Sequence, residues 1–317
     1  VNLKTKLLFA GAGLIALLLT AALAFHLLRR PAPPPGKLVV RTTPKGVRVI
    51  VNDTLRGVTA DTGLALTLPV AGPYHMVLSR AGFATDTSTV TIGLDEVLEV
   101  DVVMKIPGMA YVRGGIFAMG AEAGDYNEKP IHRVSVRAFY LDRTEVTAAD
   151  FRKFRPDYVP SFAGGKMPAG GISWEEARDY CRSVGKRLPT EAEWERACRG
   201  AGGTRYSYGD TYRTDRAQTG RPLDEGPAPA GSFPVGNGGL HDMTGNLWEW
   251  CADWYDRDYY QNSPERNPTG PAEGHQRVLR GGAWYSNVRY ARCAHRPGHI
   301  RKDRDPSFGF RCVKDVE

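Results

Sequence analysis

The sequence predicts an α+β protein in three parts: an apolar N-terminal segment, a small all-β domain, and a larger domain of low regular secondary structure. Three observations predict this. Leu7 to Leu28 is an unbroken uncharged run of 22 residues. Beyond a proline-rich spacer the hydrophobic period becomes two, with frequent turns and no helical repeat. After residue 107 three capped helical segments are followed by a long stretch rich in Gly and Pro, of which the chain holds 36 and 22.

The apolar run is long enough to span a bilayer. Lys4 and Lys6 precede it and Arg29, Arg30 and Lys37 follow, so flanking charge does not orient it. Residues 1–30 are expected to form a transmembrane anchor; Ala22-Leu-Ala24 leaves a cleaved signal as the alternative. Either way the remainder is expected outside the cytoplasm, in a bacterial periplasm or at the cell surface. Residues 31–36, Pro-Ala-Pro-Pro-Pro-Gly, read as a stiff extended linker. The net charge of +7 points to an anionic partner, and the exported N-terminus argues against nucleic acid.

Residues 37–106 read as one β-domain. Lys37–Thr43, Val47–Val51, Leu64–Leu68, Tyr74–Ser79, Ser88–Ile92 and Glu99–Met104 alternate as strands, and Asn52-Asp53 starts a turn. The strings Pro44-Lys-Gly-Val47, Val49-Ile-Val-Asn52, Tyr74-His-Met-Val-Leu78 and Ala81-Gly-Phe83 resemble a PEGA domain. That resemblance implies an envelope spacer or wall-contact module with no catalytic residues.

Residues 107–317 form the second domain. Met109 to Gly120 reads as two short strands around Gly114-Gly115, without the Lys or helix of a phosphate loop. Thr147 with Asp150 opens one helix. Ser173 with Glu176 and Thr190 with Glu193 are capping boxes that open two more, ended by Gly185 and Gly200. Trp174, Ala177, Tyr180, Cys181 and Val184, then Trp194, Ala197 and Cys198, form their inner stripes. The sixteen residues Leu240–Tyr255 place Trp248, Trp250 and Trp254 among Asp242, Asn246, Glu249 and Asp253, behind a Thr-Gly-Asn turn. This reads as a rigid loop leading into a strand and holding a cation or a ligand. Of five cysteines, four allow two disulfides in an exported chain and one is left over.

The ordered strings Arg113–Gly120, Phe139–Thr147, Ile172–Ala177, Gly185–Trp194, Gly245–Trp250, Arg280-Gly-Gly282, Arg292-Cys-Ala294 and Gly309–Cys312 resemble the formylglycine-generating, or sulfatase-modifying factor, family. The resemblance implies a C-type-lectin-like fold. It also implies disulfides Cys181–Cys312 and Cys198–Cys293, with Cys251 free and buried. It places a structural Ca2+ on the side chains of Asp242 and Glu249 and the carbonyls of Gly245 and Leu247, with Asn246 or water completing the shell.

The family's two reactive cysteines would fall between Gly282 and Arg292. That segment contains no Cys; Ser286 and Val288 stand nearest, and Ala283 replaces a Ser. Without a thiolate pair a copper site of that kind is not expected. The same region is basic and aromatic, and its candidate pocket residues are Trp284, Ser286, Arg289, His295, Arg296 and His299. They suggest an anionic or glycan envelope ligand, or a protein partner. His295 and His299 with Asp303 and Asp305 keep an iron site open. The expected function is therefore a calcium-stabilised, envelope-anchored binding or assembly module. The alternative is an extracytoplasmic oxidoreductase or tailoring enzyme of the same superfamily using non-cysteine chemistry, with true sulfatase-cysteine oxidation the least favoured.

Overall fold

A computed structural model describes residues 33–316. The apolar segment 7–28 lies outside them, and no helix among the described residues is long and apolar enough to cross a membrane. The described chain divides into two compact units, one formed by residues 33–78 and 86–102, the other by 79–85 and 103–316.

The first unit is all β. Its strands are β1 (Gly36–Thr43), β2 (Arg48–Val51), β3 (Thr54–Val58), β4 (Leu64–Leu68), β5 (Gly72–Ser79), β6 (Asp86–Ile92) and β7 (Val97–Val103). They form two sheets, ordered β4-β1-β7 and β3-β2-β5-β6. Alternate residues of β1, β2 and β5 bury Leu38, Val40, Val49, Val51, Tyr74, Met76 and Leu78, which is the burial that period-two patterning anticipates. Strand β3 was not anticipated. Asn52 and Asp53 both take positive φ (47° and 60°), a turn that folds β3 back antiparallel onto β2. It is an edge strand with no buried side chain, so it carries no hydrophobic signature.

The second unit has three sheets. Strands β8 (Met109–Val112), β11 (Phe139–Asp142) and β16 (Val313–Asp315) are ordered β16-β11-β8, and β9 (Gly115–Met119) pairs with β10 (His132–Val136). Thus β8 and β9 are not a hairpin around Gly114-Gly115. A Cβ at Gly114 would meet the backbone of residues 136–138 at 2.5–2.7 Å, so the glycine is a close crossing point between two sheets. The third sheet orders β14 (Gly298–Ile300), β13 (Gln276–Arg280), β12 (Trp248–Trp254) and β15 (Phe308–Gly309).

The three helices are α1 (Ala148–Phe154), α2 (Trp174–Ser183) and α3 (Glu191–Arg199). Ser173 with Glu176 and Thr190 with Glu193 form complete reciprocal capping boxes, and Thr147 accepts the Asp150 N–H. Trp174, Ala177, Tyr180 and Cys181 are buried along α2 and Trp194, Ala197 and Cys198 along α3, whereas Val184 is the C-cap of α2 and is exposed, because the helix ends before it could join the inner stripe.

Strand β12 divides the core. Cys251 joins a cluster with Phe117, Phe139, Trp194 and Val278, whereas Trp248 and Trp250 join one with Trp174, Trp284, Phe308 and Phe310. The two indoles Trp174 and Trp250 keep their N–H groups satisfied on the carbonyls of Cys251 and Ile172, both at 2.8 Å.

Charge is buried as well. Arg280 and Arg296 have fully enclosed side chains, and both bind Glu191 at the start of α3. Arg280 adds Glu195 at 2.9 Å and the Tyr260 hydroxyl at 2.8 Å. Burial works to raise the Glu191 carboxyl, but the charges of Arg296 and Arg280 outweigh it and bring it down to about 2. Asp253 lacks such a partner. Its Oδ2 accepts only the Glu191 N–H among hydrogen-bond donors (2.8 Å), and burial, with the charge of Glu191 behind it, pushes its carboxyl up to about 8.

Cys181 of α2 is bonded to Cys312, and Cys198 of α3 to Cys293, closing loops of 131 and 95 residues. By loop-closure entropy, Cys181→Ser is expected to lower unfolding free energy by about 3–5 kcal/mol, measured by denaturant titration against the parent under non-reducing conditions. A loss below 1 kcal/mol would mean that the unfolded state is already compact.

Asp253 sets a pH dependence. It is protonated in the fold below about pH 8 but ionised in the unfolded chain above about pH 4. The folded state therefore holds the extra proton across this window, and the contribution of Asp253 is full below pH 4 and lost as pH rises towards 8. Asp253→Asn should match the parent near pH 4 and exceed it by on the order of 5 kcal/mol at pH 8. Parallel melts at the two pH values would disprove this.

Candidate functional site

The loop Leu240–Leu247 is shaped by three residues of positive φ, Asp242 (58°), Gly245 (83°) and Asn246 (67°). Asp and Asn tolerate this region through local hydrogen bonding, and Gly245 must be glycine because a Cβ would strike the Gln218 carbonyl. Asn246 anchors the loop three ways. Its N–H reaches Gln218 (3.0 Å), its Oδ1 accepts from Ala228 N–H (2.8 Å), and its Nδ2 donates to Glu145 Oε1 (2.8 Å).

Two buried carboxylate oxygens here have no partner among the described residues: Asp242 Oδ1 and Glu145 Oε2. The other Asp242 oxygen accepts the Gly231 N–H at 2.6 Å. Burial, and then the charge of Asp242, holds the Glu145 carboxyl well above its usual range. Burial raises Asp242 too, against the lowering effect of the Gly231 N–H. Two enclosed carboxylates that disfavour each other's charge, each with an open oxygen, need either a shared proton or a cation.

The remaining residues of the expected calcium set stand differently. Glu249 accepts from Arg311 through both oxygens (2.6 and 2.7 Å) and from Trp194 Nε1 (2.7 Å), so its charge is already matched. Leu247 is fully buried in the core, and Gly245 N–H donates to Gly281 (2.8 Å). A hard cation at this loop thus fits Asp242 together with Glu145 better than Asp242 with Glu249. Glu145 escaped the sequence reading because it lies 101 residues from Asn246, on another element. The one signal was its place in the string Phe139–Thr147.

The six candidate pocket residues do not converge. Trp284 is core: it is 1% exposed, packs edge-on against Phe162, and donates to Leu223 carbonyl at 3.2 Å. Arg296 is the buried partner of Glu191 described above. Ser286 uses its hydroxyl to accept Ala283 N–H (2.9 Å), which closes a turn. Within this segment Arg292 binds Glu128 and Arg296 binds Glu191, while Arg311, from beyond it, takes Glu249.

His295 and His299 join different neighbours. His295 Nδ1 lies 3.4 Å from both Asp125 and Glu128, between the rings of Trp248 and Tyr290. His299 lies 3.6 Å from Asp303 and packs on Phe308. Among the described residues, Asp125, Glu128 and His295 are the one trio of metal-ligating type whose donor atoms lie within 4.8 Å of one another. The trio is charge-balanced without a metal. Arg292 grips Glu128 through two bonds (2.6 and 2.7 Å), and Arg289 bonds Asp125 at 2.7 Å. Burial opposes ionisation of Glu128, but hydrogen bonds from His295 and Arg292 prevail and bring it down to about 2. The iron set His295, His299, Asp303 and Asp305 is therefore not assembled.

At the surface this segment leaves Arg289, Tyr290, His299, Arg301, Lys302 and Arg304, of which Arg289, Arg301 and Arg304 are ion-paired with Asp125 (2.7 Å), Glu175 (3.2 Å) and Glu176 (3.1 Å). Thiol chemistry has no agent among the described residues. Four cysteines are in disulfides, and Cys251 is enclosed, its thiol held well above its usual pKa by burial.

Comparison with known proteins accords with this architecture. The PEGA domain model matches residues 35–106, and the sulfatase-modifying factor enzyme 1-like domain model matches residues 95–316. A formylglycine-generating enzyme of Streptomyces coelicolor is 32% identical, over 68% of this chain and 89% of that protein. The serine/threonine-protein kinase pkn1 of Chlamydia caviae is 36% identical over 66% of this chain, and the chain spans only 38% of its length. The solved Treponema denticola variable protein 1 shares the fold, with a TM-score of 0.61 at 24% identity over 66% of this chain and 95% of that one. With most of its length matched by one domain model, the chain belongs to the sulfatase-modifying factor (formylglycine-generating enzyme) family, with a PEGA domain ahead of the family domain.

Proposed function

We propose that the family domain of this chain is a non-catalytic, calcium-stabilised binding or assembly module, held at the cell envelope by the segment 7–28 and spaced from it by the PEGA domain. The observation that carries this reading is the state of the cysteines: the family's thiol chemistry needs a reactive pair, and here a turn-closing Ser286 stands nearest while every described thiol is bonded or enclosed. Two disulfides suit an oxidising compartment outside the cytoplasm. Arg289, Tyr290 and His299 offer a cationic and aromatic surface to an anionic or glycan envelope ligand, or to a protein partner carrying such groups.

The test of inactivity is direct. The purified chain, supplied with copper, oxygen and a cysteine-bearing sulfatase peptide, is expected to form no aldehyde above a no-protein control. Turnover that survives Cys251→Ser would establish an enzyme using other chemistry and end this reading.

Calcium supports the scaffold rather than a reaction. Asp242 and Glu145 would hold it, supplying hard oxygens and relieving their mutual repulsion. Elemental analysis is expected to find one calcium and no stoichiometric iron or copper. Chelation should cost about 3 kcal/mol of stability relative to calcium at a hundredfold over Kd, seen as a lower Tm. Asp242→Asn should melt at the same temperature with and without chelator. A parent protein free of calcium and indifferent to chelator would mean that a proton bridges the two carboxylates.

A further inference from the structure

A cleft of about 820 Å3 in the family domain lies apart from the loop Asp242–Glu249 and from residues 283–305, none of which lines it. Its floor is apolar, made by Val136, Ala138, Trp174, Leu188 and Ala252. Its rim carries four arginines, Arg137, Arg178, Arg182 and Arg187, against two carboxylates, Glu193 and Asp315. Arg187 takes both carboxylates: two bonds of 2.7 Å go to Glu193 and one of 2.5 Å to Asp315.

Three guanidiniums therefore face the cleft without a lining acid. Arg178 is steadied by Asp179 at 2.8 Å and lies 5.2 Å over the Trp174 ring. Arg182 sits one turn further along α2, so the two like charges share a helix side, and the charge of each acts to lower the Asp179 carboxyl beside them. Arg137 approaches from the end of β10, close enough for its charge to lower the Asp315 carboxyl. Neither Arg137 nor Arg182 has a side-chain hydrogen bond or ion pair among the described residues.

We propose that this cleft binds an anionic amphiphile: a phosphate or carboxylate head gripped between Arg137 and the Arg178–Arg182 pair, and an apolar body laid on Trp174, Leu188 and Ala252. Guanidinium forks match planar and tetrahedral oxyanions, and the volume falls within the roughly 300–1,000 Å3 of small-molecule sites. The inference stands independently of the function proposed above, because it uses neither the cysteines nor the calcium loop.

The experiment is a titration of the full chain in phosphatidylcholine nanodiscs with octyl phosphate below its micelle concentration, with empty nanodiscs as the blank. One-to-one binding is expected, at least tenfold tighter than for inorganic phosphate or octanol. Arg137→Gln with Arg182→Gln should weaken it at least tenfold without moving the Tm of the ligand-free chain. Ala252→Phe, which fills the floor while leaving the arginines, should weaken octyl phosphate but not inorganic phosphate. Nanodiscs doped with phosphatidylglycerol separate two sources of the same chemistry: competition with octyl phosphate identifies a membrane lipid, and its absence a free amphiphile. The proposal is overturned if octyl phosphate does not bind, if octanol or inorganic phosphate binds equally well, or if the arginine pair can be replaced without effect.

Discussion

The buried pairing of arginine with glutamate holds the family domain together. Arg280, Arg296 and Arg311 are all 0% exposed, and each lies against a glutamate that is itself enclosed. A lone charge in such surroundings costs several kcal/mol, so each pair exists only if its partner element is docked in register. Helix α3 supplies Glu191 and Glu195, β12 supplies Glu249, and the C-terminal third supplies the arginines. The network therefore works as an address system. It specifies which distant segments meet in a domain whose strands are too short to specify it by ladder hydrogen bonds alone. One disulfide joins the same helix α3 to this C-terminal third, and the other joins α2 to it.

This interior use of charge changes how the composition bears on function. A net charge of +7 with a dense run of Arg and His from 284 to 304 invites a large anion-binding face. Much of that run is instead consumed in folding: Arg292 and Arg296 are buried, and Arg301 and Arg304 are tied to the first turn of α2. Positive charge without an ion-pair partner among the described residues also lines the cleft, at Arg137 beyond β10 and Arg182 of α2. Surface charge available to a ligand is what remains after the interior has taken its share.

The loop Leu240–Leu247 follows the same logic with the opposite sign. Glu249 is satisfied by Arg311, and that pairing leaves Asp242 and Glu145 as a buried acidic couple with no guanidinium of their own. A turn of three left-handed residues keeps Asp242 and Asn246 where they are. The couple is thus a rigid hard-oxygen donor pair rather than a flexible surface cluster, which is the condition for a structural cation.

Local signals were legible in the sequence. The strings Ser173–Glu176 and Thr190–Glu193 start helices because their side chains satisfy backbone groups within four residues. The alternation in β1, β2 and β5 marks a buried face because successive side chains point to opposite sides of a sheet. The ordered motifs carried the family and with it the cysteine pairing. Tertiary structure alone decided the rest. It paired β8 with β11 rather than β9, revealed β3 as an edge without an apolar face, and separated His295 from His299. It gave Glu249 to Arg311 and exposed Glu145 as the companion of Asp242. An arginine has the same helix and strand preferences whether it ends in solvent, on a glutamate or beside a cleft. The electrostatic partner of each buried arginine arrives from between 62 and 164 residues away, and only the folded chain brings it there.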